Sequence, residues 1–161
     1  MLFRSKTSGG KYIAPQQIEN RLKESKFIAE IMIVGENRKF PAALIAPAFR
    51  TIADHFERRG VQLQTNHEIV TNHEVKALIE SEIRRLNAHF GRYSQIKKFV
   101  LLADEWSLAG GELTPTLKLK RRLLLEKYAK EIESLYTQEE QTSETHQIPD
   151  DDRLPSVTKE A

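Results

Sequence analysis

Apolar residues recur at two spacings along the first 138 residues, and these spacings predict strands and helices in alternation. The segments 27–34 and 42–46 are nearly continuous apolar runs on either side of the polar turn 35–39, which predicts a β-hairpin. The segment 96–102 predicts a third strand because it is short, apolar and rich in residues that favour strands.

Helical spacing recurs in four further segments. Pro15 is predicted at a first helical position, a helix over 49–59 ends at Gly60, and a long helix begins after Thr71 or Asn72, with a capping-box spacing from Thr71 to Glu74. A last helix is predicted from Leu119 or Lys120 to Tyr136, with an inward stripe of Leu124, Tyr128, Ile132 and Leu135. The segment 62–70 fits either state. The order predicts an α+β fold: a small sheet with a β-hairpin and a third strand, covered by about three to four helices.

The chain divides by charge near residue 138. It has 161 residues and a net charge of +2, but the segment 139–161 carries −5, which leaves +7 on residues 1–138. The segment also lacks aromatic residues, so we predict a folded domain over 1–138 and an acidic, disordered tail over 139–161.

Composition excludes several classes of protein. The chain has no cysteine, which rules out disulfide scaffolds, cysteine–zinc sites and thiol catalysis. Its five histidines are scattered without metal-ligand spacing, so no metal site is predicted. Residues 1–6 lack the apolar core of a secretory signal, and a cytoplasmic setting is the default expectation.

Two segments carry candidate chemistry. The first, residues 6–15 (KTSGGKYIAP), places a glycine pair between lysines, a composition that lets backbone N–H groups approach a phosphate closely. It lacks the spacing of a Walker A loop, and taken alone it fits a flexible turn before a helix.

The second segment, residues 110–122 (GGELTPTLKLKRR), is called the hook below. Its glycine pair permits movement, Pro115 stiffens the chain, and four cations follow within five residues. A lysine here can meet a carboxylate or phosphate as a movable point charge. Taken alone, the hook fits equally well a basic helix start, solvated or bound to an anionic polymer.

Together and in this order, residues 6–19 (KTSGGKYIAPQQIE) and 112–122 (ELTPTLKLKRR) resemble two signature regions of the AMP-forming acyl-CoA synthetases. The long-chain fatty acid–CoA ligase branch is the closer match. The resemblance covers nearly all of residues 5–136 and corresponds to the small, mobile C-terminal lid domain of those enzymes.

The resemblance implies roles for individual residues. Lys118 corresponds to the lysine that contacts the fatty acid carboxylate and the ATP α-phosphate during adenylation, with Lys120 as its competitor. Ser8, Gly9 and Gly10 correspond to the loop that lines the channel for the CoA pantetheine arm. Lys6 and Lys11 correspond to nucleotide-phosphate contacts. Many relatives have glycine immediately before the catalytic lysine, where this chain has Leu117.

The resemblance also implies partners. The complete enzyme would use fatty acid, ATP with Mg2+, and CoA, and would form an acyl-adenylate and then a thioester. The phosphate loop, the adenine site and the acyl tunnel belong to an N-terminal adenylate-forming domain absent from these 161 residues. We therefore expect no ligase activity from this chain alone, whether it is an excised domain, a truncated frame or a separate subunit. Long-chain substrates are compatible with peripheral membrane contact.

Two other classes of function remain open from the residues. A nucleic-acid-binding module could use the basic body and the cations of 118–122, although the strands lack aromatic platforms and no nucleic-acid-binding motif is present. A stand-alone regulatory or interaction protein could use the acidic tail as a tether.

Overall fold

The structure is a computed structural model that describes residues 5–6, 12–137 and 145–147. A short antiparallel pair is formed by β1 (Ser5–Lys6) and β2 (Tyr12–Ile13). The main sheet contains four strands: β3 (Ile28–Val34), β4 (Ala42–Pro47), β5 (Lys98–Leu101) and β6 (Thr145–Gln147).

The main sheet has the order β3-β4-β5-β6 and mixed strand directions. β3 and β4 are antiparallel neighbours, which confirms the predicted hairpin, and β4 and β5 are parallel. Parallel neighbours need a long crossover, which residues 48–97 provide.

Helices cover both faces of this sheet. Alternate residues of β3 and β4 point to opposite sides: Ile31 and Ile45 join one buried cluster, and Met32 and Leu44 join the other. The first cluster packs beneath α1 (Pro15–Leu22), α2 (Phe49–Glu57), α3 (Asn66–Thr71) and α4 (His73–Asn87). The second packs beneath α5 (Arg121–Lys127) and α6 (Ala129–Tyr136). Burial on both faces explains why the strands read as continuous apolar runs, and the arrangement confirms the α+β class.

The described residues contain six α-helices, more than the three to four that the sequence predicts. The ambiguous segment contains α3, which begins where the Thr65 side chain accepts a hydrogen bond from the Glu68 N–H. The predicted last helix is interrupted at Tyr128, whose backbone leaves helical geometry (φ −108°, ψ 27°) and separates α5 from α6. A 3-10 turn, Arg92–Ser94, precedes β5.

The long helix α4 is capped by Asn72 and not by Thr71. Asn72 Oδ1 accepts hydrogen bonds from the N–H groups of Glu74 at 2.8 Å and Val75 at 3.1 Å. Thr71 instead donates its hydroxyl to the carbonyl of His67 at 2.8 Å, within α3. The Thr71–Glu74 capping box predicted from sequence is therefore wrong, because Asn72 is the stronger competitor one residue later.

Within the predicted tail, the structure describes only β6. Residues 145–147 pair antiparallel with β5 at the edge of the sheet, whereas the sequence predicts no strand there. The division into a 1–138 domain and a disordered 139–161 tail stays a prediction.

Candidate functional site

The hook folds as a narrow hairpin between β5 and α5. Leu113 faces Leu119 across an antiparallel bridge, and the Lys120 N–H donates to the Glu112 carbonyl at 2.9 Å. The turn is closed by the Leu117 N–H, which donates to the Thr114 carbonyl at 2.8 Å. The segment is therefore a defined, hydrogen-bonded loop.

Thr114 fixes both backbone polar groups of Lys118. The Thr114 N–H donates to the Lys118 carbonyl at 2.8 Å, and the Lys118 N–H donates to Thr114 Oγ1 at 3.0 Å. The lysine side chain is exposed and makes no ion pair with any residue in the described part of the chain. A fixed backbone with a free ammonium group suits a lysine that must reach a ligand.

Leu117 has a left-handed backbone with φ of +61° and is 64% exposed. This conformation is unfavourable for a residue with a Cβ and natural for glycine, and it is typical of the residue that completes a three-residue hairpin loop. The departure from the glycine found in many relatives thus changes the side chain and leaves a backbone that glycine would adopt easily.

Two glycines shape the base of the hook for separate reasons. Gly111 has φ of +89°, which disfavours other residues. A Cβ on Gly110 would overlap Oε2 of Glu112, so any other residue there would displace this carboxylate from its present position. Glu112 is 3% exposed, and its carboxylate accepts hydrogen bonds from Lys127 Nζ at 3.0 Å and from the Ser107 N–H at 3.2 Å. Burial alone would raise the pKa of Glu112, but these donors outweigh burial and hold it below its ordinary value.

A second polar group ties the chain just before the hook to the helix break. The buried Tyr128 hydroxyl donates to Asp104 Oδ2 at 2.9 Å and accepts from the Trp106 indole N–H at 3.1 Å. Trp106 is therefore a packed anchor beside the exposed acids Asp104 and Glu105. Burial first, and then the Asp104 carboxylate, raise the pKa of Tyr128, which keeps it a donor.

The other end of the hook is joined to α1 by a buried ion pair. Glu19, 4% exposed, binds the Arg121 guanidinium through both carboxylate oxygens and accepts the Ile33 N–H of the edge strand at 2.7 Å. Burial raises the pKa of Glu19 above its ordinary value, against the lowering effect of Arg121 and the Ile33 N–H. Because Glu19 and Arg121 belong to the two signature segments, the ion pair connects them directly.

A cleft of about 220 Å³ lies between the hook and α1. Lys118 lies at its edge, whereas Lys120 does not line it. The carboxylates there are already paired, Glu19 with Arg121 and Glu30 with Lys23 at 2.9 Å. These pairings leave Lys118 as the lining cation without an ion-pair partner among the described residues.

The remaining residues predicted from sequence fall in the other signature segment. Lys6 is described by its backbone alone, which pairs with Tyr12. Ser8, Gly9, Gly10 and Lys11 belong to the connection between β1 and β2 and lie outside the described residues. Their roles at the pantetheine channel and at nucleotide phosphates therefore stay predictions.

Sequence reasoning missed the residues that support the hook: Glu19, Arg121, Glu112 and Lys127. The sequence gives little indication of these pairs, because the two partners of each pair are far apart along the chain and are not related by helical or strand spacing. The same ion pair explains how a cation is tolerated at the start of α5. A cation is unfavourable at a helix N-terminus, and the Glu19 carboxylate offsets this cost for Arg121.

The described residues hold no cluster of three or more acids and histidines arranged to bind a metal ion. None of their helices combines the length and apolar character needed to span a bilayer.

The structure is an α+β domain, and its distinctive element is the hook, a hairpin that carries an exposed lysine. The chain belongs to the family described as the AMP-binding enzyme C-terminal domain, whose pattern matches residues 6–140.

Curated relatives are consistent with this membership. The chain is 30% identical over 134 residues to the long-chain-fatty-acid–CoA ligase FadD15 of Mycobacterium tuberculosis, with 83% of this chain and 22% of that protein covered. It is 34% identical over 135 residues to the human long-chain-fatty-acid–CoA ligase 6, with 82% and 19% covered. The chain thus spans about a fifth of the length of these relatives.

Solved structures agree on the fold. The adenylation domain of a Mycobacterium chelonae carboxylate reductase matches with a TM-score of 0.66 at 20% identity, over 83% of this chain and 19% of that one. The corresponding domain from Segniliparus rugosus, solved with AMP and a co-purified carboxylic acid, matches with a TM-score of 0.67 at 18% identity and the same coverage.

Proposed function

We propose that this chain is the mobile C-terminal lid of an ATP-dependent long-chain fatty acid–CoA ligase and that Lys118 is its adenylation lysine. The observation that carries the proposal is the position of Lys118: directly after the turn of a hydrogen-bonded hairpin, exposed, and lining a cleft whose carboxylates are paired. Family membership and the long-chain ligase relatives support the substrate class.

The proposed chemistry has two steps. In the first, a fatty acid carboxylate oxygen attacks the α-phosphorus of ATP, pyrophosphate leaves, and an acyl-adenylate forms. Negative charge develops on the phosphoryl oxygens, and a positioned ammonium group stabilises it. In the second, the CoA thiol attacks the acyl carbonyl and AMP leaves.

The first signature segment would serve the second step. In this proposal the lid rotates between the two reactions, Ser8, Gly9 and Gly10 line the pantetheine channel, and Lys6 and Lys11 contact nucleotide phosphates. Rotation of one lid lets a small domain take part in both reactions. Mg2+ would accompany ATP on the N-terminal adenylate-forming domain.

The structure favours this function over nucleic-acid binding. Two of the cations in the basic cluster already have carboxylate partners: Arg121 binds Glu19, and Arg122 lies 3.5 Å from Glu126. The cluster is therefore less positive than the sequence suggests. Nucleic-acid binding depends mainly on cations that contact phosphates, so this pairing makes the cluster less suited to it.

The test compares Lys118→Ala with its neighbour Lys120→Ala in the complete enzyme, meaning this chain together with its N-terminal domain. Adenylation is followed by pyrophosphate release, and the second step by thioester formation from synthetic acyl-adenylate. We expect Lys118→Ala to slow adenylation by about 10²- to 10³-fold, the range for a lost electrostatic donor, and to leave the second step nearly intact. Lys120→Ala is the matched control with little effect on either. Equal loss of both steps in Lys118→Ala would overturn the role.

The isolated chain provides a second test. We expect no ligase turnover from it and only weak binding of ATP, because most contacts belong to the missing domain. Tight ATP binding by the chain alone, measured by calorimetry, would contradict the proposal.

A further inference from the structure

Glu112 contacts three separate parts of the chain at the base of the hook. Its carboxylate accepts from the N–H of Ser107, which precedes the hook, at 3.2 Å and from Lys127 Nζ on α5 at 3.0 Å. Its backbone carbonyl accepts from the Lys120 N–H at 2.9 Å on the outgoing limb. One residue therefore joins both limbs of the hairpin to the helix that follows.

The space around Glu112 is shaped for a carboxylate. The side chain is 4% exposed and folds over the backbone of Gly110, where a Cβ would meet Oε2 at 2.3 Å. A donor faces each of the two oxygens, and both oxygens of an ionised carboxylate can accept a hydrogen bond. An amide of the same size offers one acceptor and one donor group, so one of the two contacts would become unfavourable.

The contacts of Glu112 determine where the tip of the hook lies. Lys118 is six residues beyond Glu112, and the intervening backbone is fixed by the Leu113–Leu119 bridge and the two Thr114 hydrogen bonds. The hairpin is therefore internally connected, and Glu112 holds the incoming side of its base, as the Glu19–Arg121 pair holds the outgoing side.

We propose that Glu112 is a positioning residue for adenylation, clamped by Lys127 so that the hook presents Lys118 at a fixed place. This inference rests on the proposed function of Lys118. A misplacement of about 1 Å can cost about 10²-fold in rate. Glu112→Gln and Lys127→Gln should each therefore slow adenylation by about 10- to 10²-fold and spare thioester formation from acyl-adenylate.

The test measures both half-reactions for these variants in the complete enzyme, with Lys127→Arg as the conservative variant that keeps the charge and restores most of the rate. Asn87→Ala is the control for a purely structural lesion. The buried Asn87 amide makes two hydrogen bonds of 3.1 Å to the Ile96 backbone, remote from the hook in sequence and on the other face of the sheet. Loss of fold lowers both half-reactions together, whereas loss of position lowers adenylation alone.

A double-mutant cycle separates this inference from the function on which it rests. If Glu112 acts through Lys118, Glu112→Gln has almost no further effect on adenylation in the Lys118→Ala background. Full additivity, or normal adenylation in both Glu112→Gln and Lys127→Gln, would overturn the positioning role while leaving the role of Lys118 standing. Normal adenylation in Lys118→Ala itself would overturn the proposed function. Lys127 is 41% exposed, so Lys127→Gln keeps the test valid if Glu112→Gln fails to fold.

Discussion

The two ends of the hook are held by the same kind of contact in two different environments. Glu19 and Glu112 are both about 95% buried, and each pairs with a cation of α5 and with a backbone N–H. Glu19 lies where α1, the edge strand β3 and α5 meet, and burial raises its pKa. Glu112 lies in a loop, where its donors outweigh burial and lower its pKa.

The comparison shows that pairing alone does not set the behaviour of a buried acid. Burial dominates at Glu19 in spite of its forked guanidinium and raises the pKa, whereas the ammonium group and the N–H at Glu112 outweigh burial and lower the pKa.

The largest expected effect comes from removing the cation at the deeper pair. Arg121→Met leaves an ionised, buried Glu19, which should lower the free energy of unfolding by about 3–5 kcal/mol. Chemical denaturation of the chain measures this loss. Arg122→Met is the matched control, because its side chain is 95% exposed and its pair with Glu126 is worth well below about 1 kcal/mol. Similar losses in the two variants would contradict a stabilising role of Arg121 at the buried Glu19 carboxylate.

The pH dependence of stability should have opposite signs at the two acids. The raised pKa of Glu19 means that the folded state gains stability as pH falls through that pKa toward the ordinary value of 4.5. The lowered pKa of Glu112 means that its stabilisation is present above 4.5 and disappears as pH falls through its folded value.

Unfolding free energies of the native chain, Glu19→Gln and Glu112→Gln, measured between pH 3 and 7, test this contrast. The unfolding free energy of the native chain, relative to that of Glu19→Gln, should increase as the pH is lowered toward 4.5. Relative to that of Glu112→Gln, it should decrease as the pH falls below 4.5. Curves with the same slope would show that the two environments do not differ.

The smallest effect is expected at the tip between the two ends. Leu117→Gly relieves a left-handed backbone and should raise the free energy of unfolding by about 1 kcal/mol. Thr116→Gly is the control, since Thr116 has no positive φ and should gain nothing. A loss of stability in Leu117→Gly, seen by thermal unfolding, would mean that the exposed leucine contributes more by packing than its backbone costs.

Local patterns accounted for most elements of the fold. The apolar runs of β3 and β4 and the stripe of α4 follow from one sheet buried on both faces and one amphipathic helix. The parallel pairing of β4 with β5 did not follow, because nothing local specifies strand direction across a 50-residue crossover. The break at Tyr128 also did not follow from the helical spacing, and the hydroxyl of Tyr128 bonds to Asp104, 24 residues away.

The same limit applies to the candidate site: the motif could be found from the sequence, and the contacts that support it could not. The sequence motif singles out Lys118 only through its resemblance to a known family, and the role of Lys118 stays a prediction. The ion pair of Glu19 with Arg121 could not be found in this way, since the pair spans 102 residues and depends on how α1 and α5 pack against β3. Residues that carry a motif can thus be read locally, and those that hold the motif in place require the fold.

The most direct test of the central claim is the ratio of adenylation rate to thioester-formation rate in Lys118→Ala, relative to the native enzyme, measured on one preparation. If Lys118 is the adenylation lysine, this ratio falls by about 10²- to 10³-fold. An unchanged ratio would contradict this role.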